Sequence, residues 1–322
     1  MIIHDDSTER ASGNHPDPAL PPLSRAEAAH LVRLSLEATT ALGLTGRYDG
    51  CGALTLRTAP AGELAAGPPV TAPPGEHLEA GLTNLARIVA DQRPDHWPRL
   101  VGEHFDRLAQ VLRHGPGPRP ADPRRELLQR LAAKDSLDPR LAGAAPEFVP
   151  GLLSVPAASS DGTITMYFDP ATDLGLTWTE AESCGLRNLR ALTDSVSYAE
   201  YEGILVAMIS GSSFAASRAL VLDTVLRESL HVENPRFGVL VAMPVRDLLL
   251  VHVITDLSVI PALGMMLNLA GRAHATEPGP LSPWVYLVAD DGWHLATQAA
   301  DEPGPGLSPR LLALLHELDP AS

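Results

Sequence analysis

A chain of 322 residues with 45% apolar content is long enough to bury a sizeable core, and its net charge of −15 disfavours a nucleic-acid backbone as partner. The acidity is concentrated late: residues 1–140 carry 16 basic and 18 acidic side chains, residues 141–322 carry 8 and 21. Two distant cysteines, Cys51 and Cys184, match no metal or redox spacing, and Met1–Asp6 has neither the basic start nor the apolar run of a signal peptide. The expectation is therefore a cytoplasmic protein without cofactor. Its most apolar long run, Leu248–Gly271, is interrupted by His252, Asp256 and Pro261, so no membrane span is predicted.

In chain order, residues 1–22 are polar and end in Pro16, Pro18, Pro21 and Pro22, which reads as a disordered tail. Residues 23–118 read as a helical lobe with one strand. Ser24 and Glu27 form a capping box for a helix up to Gly43, a strand follows at Ala53–Arg57, and helices are predicted at His77–Ala90 and Pro94–Leu112. A loop dense in Pro, Gly and Ala (Ala59–Gly75) lies between them, and Gly115–Pro123 is the linker candidate.

Residues 119–300 read as an α+β lobe. Asp122 and Pro123 open a predicted helix through Leu131, on which Arg119, Arg124, Arg125, Arg130 and Lys134 form a solvated basic face. Phe148–Val155 and Thr163–Phe168 are strand candidates, and a helix is expected from Thr177 or Thr179 to Leu192. The central unit runs from Glu202 to Asp256: an apolar strand (Gly203–Ile209), a small-residue turn, a helix (Ala215–Leu230), and two more apolar runs, Phe237–Met243 and Leu248–Ile254. The runs flanking the helix are expected side by side inside a small mixed sheet. Asp256 caps a further helix, Asp290-Asp291-Gly292 marks a hairpin, and residues 301–322 form a tail with a short helix from Ser308 to Leu318. Leu54–Arg57 before Gly81–Leu85 and Ile164–Tyr167 before Gly185–Leu189 form a weak internal repeat.

Two constellations carry chemistry. Gly211-Ser212-Ser213-Phe214-Ala215, between a strand and a helix, is a degenerate nucleophile elbow; Ser213 with downstream Asp256 and His274 or His294 has the order of a hydrolase triad. Arg246-Asp247, enclosed by apolar runs, offers a planar fork for a carboxylate or phosphate, to which Ser217 and the helix start at Ala216 would add donors.

Asn188-Leu189, Ala216-Ser217-Arg218 and Pro244-Val245-Arg246-Asp247-Leu248-Leu249-Leu250, with Leu82-Thr83-Asn84-Leu85 upstream, resemble the YtpQ-like family of conserved bacterial proteins of unknown function, over roughly residues 25–297. Val245 departs from the polar residue usual there. The resemblance implies a cytoplasmic α+β protein, supplies no catalytic residue or cofactor, and directs attention to Ser217, Arg218, Arg246 and Asp247. The reading is a non-catalytic module binding a protein with a basic surface or a small anionic ligand. Its rivals are a Ser213 hydrolase and an anion-binding module centred on Arg246 and Ser217.

Overall fold

The computed structural model describes residues 15–58, 78–114, 119–160, 163–298 and 306–319. The predicted Ala59–Gly75 loop, residues 1–14 of the predicted tail and residues 115–118 of the predicted linker fall outside them. The chain is α+β and divides into two compact units, Met1–Gly117 and Pro118–Ser322. No helix among the described residues is long and apolar enough to cross a membrane.

In the first unit, helix α1 (Arg25–Ala41) starts at the Ser24/Glu27 capping box. Strands β1 (Leu44–Tyr48), β2 (Ala53–Thr58) and β3 (Leu78–Gly81) form an antiparallel sheet, followed by helices α2 (Thr83–Ala90) and α3 (Trp97–His114). The helix predicted from His77 is thus a strand up to Gly81, with Ala80 and Leu82 buried two apart. The proline-rich stretch His15–Leu23 packs onto the unit. Leu20 and Leu23 are fully buried in the core, and Asp17 Oδ1 accepts the Ala19 and Leu20 N–H groups at 2.9 and 3.0 Å. Two leucines suffice to anchor what composition alone assigns to disorder.

The second unit holds two further sheets. One has β4 (Leu128–Ala133), β5 (Glu147–Val149), β6 (Leu152–Ser160) and β7 (Thr163–Met166), with β6 paired to all three others. The other runs β13-β12-β10-β11-β9-β8, using β8 (Ser195–Tyr201), β9 (Ile204–Ser210), β10 (Val239–Val245), β11 (Leu248–Val253), β12 (Val285–Ala289) and β13 (Gly292–Leu295). Every described pairing is antiparallel, which corrects the expected mixed sheet. The apolar runs β9 and β10 are both interior, yet β11 lies between them, because a two-residue turn at Arg246-Asp247 folds β11 straight back along β10.

One face of the six-stranded sheet is covered by α5 (Val259–Thr276) and α6 (Pro309–Leu318), so the predicted C-terminal tail is part of the core through Leu311 and Leu314. The other face packs on Leu131, Val149 and Leu152 of the smaller sheet and on Ala216, Ala219, Leu222 and Val225. The predicted Ala215–Leu230 helix is irregular: a 3-10 turn (Ala216–Val221), one α turn (Leu222–Thr224) and a π segment (Val225–Ser229).

The predicted helix at Asp122–Leu131 stops after Glu126 and becomes β4, so the expected basic helical face does not exist. The inward positions alternate as Leu127, Gln129, Leu131 and Ala133, and buried Gln129 Nε2 donates to Ser154 Oγ on β6 at 2.9 Å. A polar residue at a core position hid the two-residue period. The internal repeat also dissolves: Gly81–Leu85 straddles the β3–α2 junction, while Gly185–Leu189 lies within helix α4 (Trp178–Arg190).

Helix α4 begins with a second capping box. Thr177 Oγ1 accepts the Glu180 N–H at 3.3 Å, the Glu180 carboxylate accepts the Thr177 N–H at 3.0 Å, and Arg124 sits 3.1 Å from Glu180. The Thr177 backbone bond, then Arg124 and the Thr177 hydroxyl, hold the Glu180 carboxyl at about 2. Its contribution to stability is complete above its ordinary value of 4.5 and fades as pH falls towards 2. Denaturant titrations between these limits are expected to show a shallower acid loss for Glu180→Gln than for the parent. Thr177→Ala should cost about 1 kcal/mol at neutral pH.

Candidate functional site

Ser213, Ser217, Arg218 and Arg246-Asp247, of the residues singled out in the sequence, lie around the turn where β9 ends. Gly211 adopts φ 106°, and an ideal Cβ there would lie 3.0 Å from Ser195 Oγ, so the turn needs glycine. Ser212 Oγ then accepts the Phe214 N–H at 3.1 Å, and the chain enters the 3-10 turn with Ala216 N–H donating to the Arg246 carbonyl at 3.2 Å.

From this turn the side chains fan into neighbouring elements. Ser217 is buried, and its Oγ accepts the Leu131 N–H of β4 at 2.9 Å. Arg218 is 1% exposed. Its Nη2 and Nε donate to Asp194 Oδ2 at 2.9 and 3.2 Å, its Nη1 to the Leu189 carbonyl at the end of α4, and Ser229 Oγ donates to the same carboxylate oxygen at 2.6 Å. Ser217 and Arg218 therefore tie the turn to β4 and α4 and present nothing to a ligand. Asn188 does similar work on the entry to β4, donating to the Arg124 and Leu127 carbonyls at 3.1 and 2.8 Å.

Arg246 and Asp247, between the two apolar runs, form the β10–β11 turn; Arg246 is half-buried and Asp247 exposed. Arg246 N–H donates to the Gly279 carbonyl at 2.9 Å, and the aliphatic stem lies against Gly279, whose ideal Cβ would sit 2.6 Å from Arg246 Cδ. Arg246 Nε is buried without a hydrogen-bond partner. The anion site expected from Arg246, Ser217 and the amides at Ala216 does not assemble. The Ser217 hydroxyl and the Ala216 N–H are both engaged within the protein.

A different residue joins Arg246. Arg130, from β4, lays its guanidinium over the Phe214 ring at 5.2 Å from the centroid and donates from Nη1 to the Ser213 carbonyl at 2.9 Å. Burial first, and then the nearby Arg246 charge, lowers the Arg130 pKa to about 10, while Asp247 opposes the fall. Reading Leu127–Ala133 with strand periodicity would have separated Arg130 from the supposed helical face.

The hydrolase residues are not brought together. Ser213 is exposed at the end of β9, which lies beside the start of β11, whereas Asp256 follows the far end of β11, about 20 Å away by strand rise. Asp256 instead accepts the Ser258 N–H at 2.8 Å ahead of α5. His274 belongs to the last turn of α5, away from the turn at Ser213, and lines a cleft of about 670 Å³ with Lys134, Leu152, Ser282 and Trp284. His294 sits on β13, roughly 19 Å from β9 by strand spacing. Among the described residues no three His, Cys, Asp or Glu side chains converge as a metal site.

A separate feature stands out at the sheet's edge. β8 is an edge strand of seven residues, and Tyr198, Tyr201 and the neighbouring Leu205 of β9 are 57%, 62% and 49% exposed. Tyr198 pairs with Ala207 and Glu200 with Leu205, so Tyr198, Glu200 and Leu205 share one face. Between Arg190 and Arg218 the sequence has no Lys or Arg and contains Asp194, Glu200 and Glu202. The opposite edge, β13, has four residues and adjoins an Arg310–Asp291 ion pair at 2.9 Å. Comparison with protein-family models, curated proteins and solved structures returns no match.

Proposed function

We propose that this YtpQ-like chain is a non-catalytic binding module whose acidic C-terminal unit captures an extended, basic protein segment along β8. The observation that carries the reading is the unguarded β8 edge. Edge strands normally discourage further pairing by being short or by carrying Lys or Pro, and β8 does neither. Its outer N–H and C=O groups are a template for one more strand, with exposed Tyr198 and Leu205 supplying apolar contacts on one face and Tyr201 on the other. Glu200 and Glu202 set the preferred charge of the incoming segment. The separation of Ser213, Asp256 and His274 supports binding over hydrolysis.

Fluorescence anisotropy with labelled peptides that alternate apolar and basic residues tests the proposal, acidic counterparts of equal length serving as controls. The basic series should bind saturably and weaken with salt. Tyr198→Lys, at an exposed position that leaves the core intact, should lower affinity about tenfold or more, as loss of an aromatic anchor does. Absence of saturable binding by the basic peptides, or equal affinity for Tyr198→Lys, would overturn it.

A further inference from the structure

We infer that Arg130 and Arg246 together form a receptor for a doubly charged oxyanion of the phosphate-monoester class, at the end of the six-stranded sheet where β10 turns into β11. The inference is independent of peptide capture at β8. It begins with a mismatch between supply and use of charge. Residues 141–322 hold 21 carboxylates against 8 cations, and in the second unit Arg124 pairs with Glu180, Arg125 with Asp122, Arg190 with Asp223, Arg218 with Asp194, Arg227 with Glu228 and Arg310 with Asp291. Among the described residues neither Arg130 nor Arg246 forms an ion pair within 4.0 Å.

The Arg130 guanidinium and the Arg246 backbone and stem are held at the same turn, Ser213–Ala216, by groups that do not neutralise either charge. Arg130 is held by the Phe214 ring and the Ser213 carbonyl, and Arg246 by its backbone bonds to Gly279 and Ala216 and by the Gly279 surface beneath its stem. Each is half-buried, and they are close enough that the charge on one raises the cost of the charge on the other. Such an arrangement is unfavourable by itself, and the buried, partnerless Arg246 Nε adds to the cost. A dianion between the two forks would relieve both. A phosphate monoester carries about −1.5 to −2 charges and three acceptor oxygens, which suits two guanidiniums better than a single carboxylate does. Exposed Asp247 stands at the rim and supplies only one opposing charge.

Thermal unfolding in inorganic phosphate, against sodium chloride of matched ionic strength and against sodium acetate, tests this. Phosphate should raise Tm saturably, chloride and acetate should not, and Arg246→Gln should abolish the rise. In phosphate-free buffer Arg246→Gln should melt at or above the parent temperature, since one of two mutually repelling cations is gone. Arg130→Lys, which keeps the charge and loses the fork, should weaken the phosphate response at least several-fold. The inference fails if phosphate gives no saturable shift, if acetate matches it, if Arg246→Gln retains it, or if Arg246→Gln melts well below the parent without phosphate.

Discussion

Asp194→Ala is expected to destabilise the second unit by about 3–5 kcal/mol, the range found when one partner of a buried ion pair is removed. The Arg218 and Asp194 side chains are only 1% and 4% exposed. Deleting the carboxylate leaves a guanidinium that water cannot reach, with the Leu189 carbonyl as its one remaining acceptor, and it also strands the Ser229 hydroxyl. The cost comes mainly from the orphaned charge, so removing that charge as well should recover much of it. Arg218→Met combined with Asp194→Leu is accordingly expected to be far closer to the parent in urea denaturation than either single change, because burying two apolar groups of similar volume carries no desolvation penalty. Should Asp194→Ala unfold with parental stability, the network would be an incidental contact and the turn at Ser213–Arg218 would need another anchor.

That network also shows where a single sequence stops being informative. The apolar runs of β9, β10 and β11 were legible as interior strands because they are continuous and rich in Val, Leu and Ile; the Ser24 and Thr177 capping positions and the Asp290-Asp291-Gly292 hairpin were legible because their chemistry is local. Strand order was not, since nothing in β9 or β10 records that β11 separates them. β4 reads as helix because Gln129 breaks its alternation, and β8 leaves no signal because an edge strand with both faces partly wet needs no apolar pattern. At the candidate site Arg246 was visible through its apolar flanks. Its neighbour Arg130 arrives from 116 positions earlier in the chain, and no local pattern links the two. The same distance explains Ser217 and Arg218: their partners Leu131 and Asp194 are remote in sequence, so residues that pin the structure looked like ligands.

Gly238→Ala should cost about 2–5 kcal/mol, and a matched control separates the two causes. Gly238 has φ 77°, a left-handed conformation that costs a non-glycine residue about 1–2 kcal/mol. Its ideal Cβ would also fall 2.1 Å from the Val288 carbonyl oxygen and 3.1 Å from the carbonyl carbon, both backbone atoms of β12. Neither can yield as a side-chain tip would, because Val288 pairs with Val239 in the register that joins β12 to β10. Relief requires β10 to move away from β12 or the Gly238 peptide to turn, and the second route breaks the bonds Gly238 makes to Pro235 and Ile254. Overpacking of this kind adds roughly 1–3 kcal/mol to the conformational term. Gly203, in the β8–β9 turn, has nearly the same φ, 80°, and nothing within 4 Å of its ideal Cβ, so Gly203→Ala carries the conformational cost alone. Urea denaturation of the two variants should therefore differ by about 1–3 kcal/mol, with Gly238→Ala the weaker protein. Equal stabilities would mean that the β10–β12 junction gives way without cost, and the rigidity assumed for the sheet carrying Arg246 and β8 would go with it.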